Sequence, residues 1–599
     1  MKTQFTGNIF VDAGLAGMCA AAGVKHLHQL DEAAIERAVE KLISLITSDA
    51  AFAPRLVEGE KKPKTFTGSD MTVIQTKNGV LSQSSVKGAD VKALREADPG
   101  MTEARAKELA RIQNQKTNYA NRLRLKLENV KQQIHNPRSQ ALQRCFVDGN
   151  PACAIMGNDE FPMVDSKTKR NFHPGLIGGH RVGAITALAL EFFPLSVLRT
   201  GLNSGFFWFV HTAQEEVAVA VAELTRDFMN DALVKGGFGF FGDWKINNRG
   251  KETAVVGLIR ELTCTAQKPL SKAAIDQISL PVTAYIFSND SRSPTIEAYD
   301  LPHPLWKFFA QLRGSKALVR WNREVLGAEK KGWLLARAML RGERVVSLCL
   351  LRSKDSEAVM LRGGWNAHAH YAHEVLAVNP TFLRDIESLS QTLFSDAKSK
   401  DWLFDLQRAS GIGEVRRVLL RFCREKFLDE ATFARLIPPD APFAALSARD
   451  YLLAALYDRS YCAEKNLEFE LWRPEDEFPA DDKSTILQLI EEIGASLLRD
   501  SRQKQLSTNL GRATRATELR QVLLRGAKWG LVSWPQWTQF FPIEKPGYSL
   551  LLRDYLLAYV YSHMNREEVR ALPEPAPVDG RELKADELGE TDRFLSLVA

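Results

Sequence analysis

The run HAHYAH places His368, His370 and His373 at the spacing of an H-x-H-x-D-H dimetal motif, in which imidazoles and a carboxylate hold metal ions that activate water. Ala372 stands at the carboxylate position, so surface or helix-capping histidines are the plainer reading. A metal-dependent hydrolase or nuclease built on this cluster is the alternative. Cys145 and Cys153, with His173 and His180, offer a zinc set, but a C-x7-C spacing departs from the C-x2–4-C knuckle of structural zinc sites. Gly237, Gly239 and Gly242 spell G-x-G-x-x-G. A dinucleotide fingerprint must follow a strand and open a helix, whereas this one follows the helix-like AELTRDFMNDALVK, and no cofactor is expected. The chain has no Walker A sequence, nucleophile elbow or H-E-x-x-H. The acidic pairs Glu215/Glu216 and Asp481/Asp482 have no associated nucleophile and read as solvated.

Two polar loops suit recognition better than catalysis. Lys245, Asn247, Asn248 and Arg249 follow the glycine-rich loop, so amide and cationic groups able to read base edges sit beside backbone that can approach a duplex closely. Lys167, Lys169, Arg170 and Asn171 form a second cluster of donors suited to phosphate. The charge of the whole chain is a modest +6, but its distribution is uneven. From Arg499 to Lys528 there are eight cations against Asp500 and Glu518, and a second basic segment runs from Arg105 to Arg144. Arg499, Arg502, Lys504, Arg512, Arg515 and Arg520 are the candidate contacts to a polyanion, because each neutralised phosphate releases condensed counterions.

The elements that must position these groups are mostly helices. Ile35, Val39, Leu42, Ile43 and Ile46 recur at helical spacing behind an Asp31 cap. Glu58 to Gly100 reads as a loop or hairpin with a strand-like MTVIQT at Met71–Thr76. Residues 184–299 mix strand-like runs, FFWFV at Phe206–Val210 and PVTAYIF at Pro281–Phe287, with helical segments. Helical periodicity predominates from Asp300 onward, with a stripe at Ile486, Leu489, Ile490, Ile493 and Leu497 and further helices near 514–525 and 548–563. The hexapeptide RDYLLA occurs at Arg449–Ala454 and Arg553–Ala558, each with a tyrosine three residues on; without further matches it reads as coincidence between two core helices. The expected class is α+β, divided into a mixed region 1–299, a mostly helical middle 300–429, a helical bundle 430–565 and a disordered tail 566–599.

At 599 residues, 45% hydrophobic and 25% charged, the chain is long and apolar enough for several cores. Its longest apolar stretch, Ala184–Leu198, is broken by Glu191 and Pro194, no signal-like segment opens the chain, and seven scattered cysteines read as reduced. A cytoplasmic, membrane-free location is the expectation.

Thr6 to Gly14 reads TGNIFVDAG, and from Cys145 the chain runs through FPMVDSKTKRNFHP to EFFPLSVL at Glu191–Leu198. These segments resemble the large subunit of type I-B CRISPR Cascade complexes, the CXXC-CXXC family. The resemblance implies two cysteine pairs; here Cys145 remains, Asp148 stands where its partner would be, and Gly183 and Thr186 stand near the second pair, so no stoichiometric zinc is expected. It implies a non-catalytic DNA-recognition subunit that touches guide RNA, recognises a protospacer-adjacent motif (PAM) in double-stranded target DNA and promotes R-loop formation. Its C-terminal bundle would resemble a Cascade small subunit and hold DNA strands. The implied partners are the Cascade backbone, handle-binding and small subunits, and a helicase-nuclease or transposition proteins. On this reading Lys245, Asn247, Asn248 and Arg249 contact the PAM, with Lys167, Lys169, Arg170 and Asn171 on the backbone. A purely structural assembly subunit is the remaining rival.

Overall fold

The computed structural model describes residues 4–48, 54–55, 64–65, 87–136, 143–156, 161, 180–199, 206–235, 251–265, 269–288, 295–327, 332–352, 359–438, 441, 444–473, 485–541 and 548–576. The chain is mostly helical with small antiparallel sheets, and divides into two compact units. One comprises 1–314 with 326–343, the other 315–325 with 344–599.

The first unit is built around helix Ile9–Ala22, apolar on every side and therefore enclosed rather than laid on a surface. Asn8 caps it by accepting from the N–H groups of Phe10 and Val11. Helices Glu32–Thr47, Ala184–Phe192 and Glu215–Lys235 pack against it. Gly14 and Gly17 make the closest approach possible, since a Cβ at either would lie 2.1 Å from the Ala189 carbonyl oxygen or 2.7 Å from that of Phe192. A four-stranded antiparallel sheet runs in the order Leu198–Arg199, Phe206–His211, Thr283–Ser288, Thr295–Asp300, and a smaller pair joins Ala152–Met156 to His180–Gly183. The strand readings at 206–210 and 281–287 hold, as does the helix behind Asp31. The loop reading of 58–100 does not hold throughout, because Gly88–Ala97 is a helix packed on the long helix Glu103–His135. Met71–Thr76 lies outside the described residues.

The second unit contains a tandem duplication. Helices Pro380–Ser395, Ser399–Arg408, Ile412–Arg424, Glu430–Leu436 and Ala444–Glu464 recur in the same order as Thr485–Arg499, Gln503–Arg512, Ala516–Lys528, Trp534–Phe540 and Tyr548–His563. The second, third and fourth helices keep a constant shift of 104 residues at both ends. Local devices recur at that shift. Glu414 receives the N–H groups of Ser410 and Gly411 as Glu518 receives those of Thr514 and Arg515. Asp429 and Ser533 cap the fourth helices. Lys426 and Gly530, at φ +64° and +74°, turn the chain after the third. Arg449 donates to the Ala409 carbonyl and Arg553 to that of Ala513, while each arginine grips the aspartate that follows it.

The two RDYLLA segments are thus equivalent parts of one repeated unit, not a coincidence. Residue identity recurs with the caps, turns and arginine-to-carbonyl locks, since EVRRVLLR at Glu414–Arg421 returns as ELRQVLLR at Glu518–Arg525. The bundle accordingly begins at Pro380 rather than at residue 430, which falls at the start of a helix inside the first copy. The expected disordered tail does not hold for 566–576: Arg566–Arg570 is helical, Leu572 is buried, and the Ala576 N–H donates to the Gly511 carbonyl at 2.8 Å, while 577–599 lie outside the described residues. No described helix is long and apolar enough to cross a membrane.

Candidate nucleic-acid interface

The described residues of the segments that carry the resemblance, 6–14, 145–150, Phe161 and 191–198, contribute to one apolar core. Residues 145–150 form a tight turn: the Cys145 N–H donates to the Asn150 carbonyl at 2.7 Å, the Gly149 N–H donates back to the Cys145 carbonyl at 3.0 Å, and Gly149 takes φ +70°. The Phe146 N–H donates to the Arg181 carbonyl, which ties this turn to strand His180–Gly183. That strand ends at Gly183, the N-cap of helix Ala184–Phe192, whose first turn carries Thr186. Cys145 Sγ lies 3.7 Å from Thr186 Oγ1, which donates to Asp148 Oδ2 at 3.0 Å. A Cβ on Gly183 would stand 3.6 Å from both Asp148 carboxylate oxygens. Positions 145, 148, 183 and 186, two pairs each three apart in sequence, therefore converge.

This set does not fit zinc. It supplies one thiol, the glycine has no ligand atom, and the threonine hydroxyl is spent on the carboxylate, whereas a structural zinc site needs four donors. Hydrogen bonds link Cys145, Thr186 and Asp148 instead. The Cys145, Cys153, His173 and His180 set fares no better. Cys153 is exposed on the hairpin, His180 packs against Phe146, and His173 lies outside the described residues. No group of three or more metal-binding side chains occurs among the described residues.

The N-terminal motif packs beside this turn. Asp12 is buried, accepting from the Thr6 N–H at 2.6 Å, the Thr6 hydroxyl, the Gly7 N–H and His211 Nε2 at 3.1 Å. Phe10 stacks edge-on with Phe161 and Phe193, and Phe161 in turn meets Phe146. Glu191, which interrupts the apolar run in the sequence, is buried and paired with Arg122 at 2.7 Å and with Lys126, while the Tyr119 hydroxyl donates to it. Burial would raise its carboxyl, but the two cations hold it below the usual glutamate range.

The long basic helix is largely neutralised within the fold. Glu32, Glu36 and Glu40, at successive helical turns of Glu32–Thr47, face His135, Lys131 and Arg124, and Arg105 and Lys107 pair along their own helix. The Arg105–Arg144 segment therefore offers a polyanion much less than its charge count implies.

The C-terminal cations divide. Arg499, Lys504 and Arg512 are exposed without an ion pair among the described residues, and Arg515 is exposed at the head of the third helix of the second copy. Arg502 is spent, bonded to both Asp500 oxygens at 2.8 Å and stacked 3.9 Å over Trp529. Arg520 is half-buried over Phe541. Arg525 and Lys528 are exposed and belong with the first group, a placement that charge counting could not make. One exchange between the copies opens a cation: Asp405 holds Arg421 at 2.5 Å in the first copy, and the equivalent positions in the second are Asn509 and Arg525.

His368 is buried, bonds the Arg362 carbonyl at 2.8 Å and meets the Trp321 ring; burial lowers its pKa to about 4. His370 and His373 lie instead against Trp472. His368 thus faces the core while His370 and His373, three apart on one helix face, share Trp472, and the three form no metal cluster among the described residues. A cleft of about 680 Å³ nearby, lined by Lys316, Arg320, Trp365 and Asp458, is floored by a closed lock in which Asp458 takes Arg320 at 2.5 Å and the Trp365 N–H at 2.9 Å. Lys245, Asn247, Asn248 and Arg249, and likewise Lys167, Lys169, Arg170 and Asn171, lie outside the described residues. No family model, curated protein or solved structure matches the chain.

Proposed function

We propose that the chain is the non-catalytic large subunit of a type I-B CRISPR RNA-guided surveillance complex. The observation that supports this reading is the convergence of Cys145, Asp148, Gly183 and Thr186 beside the N-terminal Thr6–Asp12 motif, since the resemblance places one cysteine pair at 145 and 148 and a second near 183 and 186. In such a complex guide pairing supplies sequence information, and protein contacts tip a nearly balanced exchange of duplexes. PAM readout falls to Lys245, Asn247, Asn248 and Arg249, with Lys167, Lys169, Arg170 and Asn171 as backbone donors. The exposed cations Arg499, Lys504, Arg512 and Arg515 of the second copy hold DNA strands, and the bundle plays the part of a small subunit.

The direct test is to recover the tagged chain from its native cells and sequence the bound RNA. Short RNAs sharing one repeat-derived 5′ end are expected; RNA without a common end rejects the reading. A second test addresses the backbone contacts. Replacing Arg499, Lys504 and Arg512 together by alanine is expected to weaken duplex binding equally for all sequences and to reduce the slope of log K against log salt by roughly 0.9 per lost contact. An unchanged slope removes the bundle from the DNA path.

A further inference from the structure

Comparison of the two copies exposes a docking face. The third helix of the first copy, Ile412–Arg424, lies against the fifth helix of the second, Tyr548–His563. Arg416 donates to the Leu550 carbonyl at 2.8 Å and pairs with Asp554, and one turn on Leu420 is 1% exposed. Another turn on, Arg424 donates to the Leu572 carbonyl at 2.5 Å, and Lys426 donates to the Ser562 carbonyl at 2.7 Å. The ring of Phe433 sits 5.5 Å from that of Tyr555, whose hydroxyl donates to the Ile437 carbonyl.

The equivalent face of the second copy has no fifth helix of a further copy packed on it among the described residues. Arg520 stands where Arg416 does, but it has no carboxylate partner among the described residues, and its Nε is buried without a hydrogen bond. Leu524, the equivalent of Leu420, is 42% exposed. Lys528 is exposed at the position of Arg424. A head-to-tail contact leaves such an end free unless another unit continues it, and no third copy follows among the described residues.

We propose that the Arg520, Leu524 and Lys528 face of helix Ala516–Lys528 docks a separate helical protein whose exposed helix presents an aspartate followed by a tyrosine, as Asp554 and Tyr555 do. Continuity with the contact between the copies defines this occupant. A second molecule of the same chain cannot supply it, because both RDYLLA helices are committed. Asp554 and Tyr555 are covered by the first copy, while Asp450 is held by Arg344 and Arg449, and Tyr451 packs on Trp365 and Phe382. The docking rests on the repeat and not on the guide-RNA reading, so it stands or falls separately.

The test is a titration of the full chain, without RNA, by a tagged peptide of residues 546–565. Saturable binding is expected, weakened at least tenfold by Arg520→Glu or by Leu524→Asp, the latter at a position 42% exposed. A peptide with Asp554→Lys should bind the Arg520→Glu chain better than it binds the wild type. Three results overturn the proposal: no binding to the wild-type chain, equal binding to the variants, or displacement of the peptide by a short oligonucleotide, which would give the face to nucleic acid. Tenfold tighter binding after deletion of residues 577–599 also overturns it, since the chain's own tail would then be the occupant.

Discussion

Asp554→Asn is expected to destabilise the C-terminal unit by about 3–5 kcal/mol, the range for removing one member of a buried ion network. The carboxylate accepts from Arg553 Nε at 2.8 Å and Nη2 at 2.5 Å, and from Arg416, and all three side chains are 2% exposed. A neutral amide leaves two guanidinium groups facing each other without solvent or counter-charge. The equivalent Asp450→Asn in the first copy should cost clearly less, because its partners Arg344 and Arg449 are 36% and 22% exposed and water can take over. Urea unfolding followed by tryptophan fluorescence, with midpoints compared for the two variants, measures this. Equal losses would show that the two locks are energetically alike and that the burial argument fails.

Glu191→Gln is expected to have an effect of similar size, about 3–5 kcal/mol, on the N-terminal unit. It removes the charge that Arg122 and Lys126 share while keeping the shape of the side chain. The native carboxyl is depressed below its unfolded value, so its contribution is fully present above the unfolded pKa of about 4.3 and is lost as pH falls through the lower native value. Wild-type stability should therefore drop steeply on acidification below about pH 4, and the Gln variant should show a shallower acid limb. Parallel acid limbs for the two proteins would remove Glu191 from the acid transition. The close approach of helix Ile9–Ala22 to Ala184–Phe192 makes the effect structural as well as electrostatic, because the Glu191 helix also carries Thr186 of the converged turn.

Helix Glu32–Thr47 was legible because its apolar stripe and Asp31 cap are local signals, and the helices Thr485–Arg499, Ala516–Lys528 and Tyr548–His563 were legible in the same way. Strands Phe206–His211 and Thr283–Ser288 announced themselves as short β-branched and aromatic runs. Helix Gly88–Ala97 was missed because its weakly apolar face rests on another helix rather than on its own periodicity. The four converging positions were named from the family resemblance, but their junction required a strand pairing that joins residues 146 and 181.

Sequence by itself determined the charge on each segment, the periodicity that makes each helix amphipathic and the recurrence of RDYLLA. Only the tertiary structure decided which charges are available. Lys131 and Glu36, or Arg122 and Glu191, are far apart along the chain, and nothing local says that they meet. Arg416 and Arg520 are equivalent residues in one repeated unit, yet the first is sealed against Asp554 and the second is not. The physical reason is that pairing and burial belong to surfaces brought together by folding, whereas helix propensity and capping belong to neighbours already joined by the backbone.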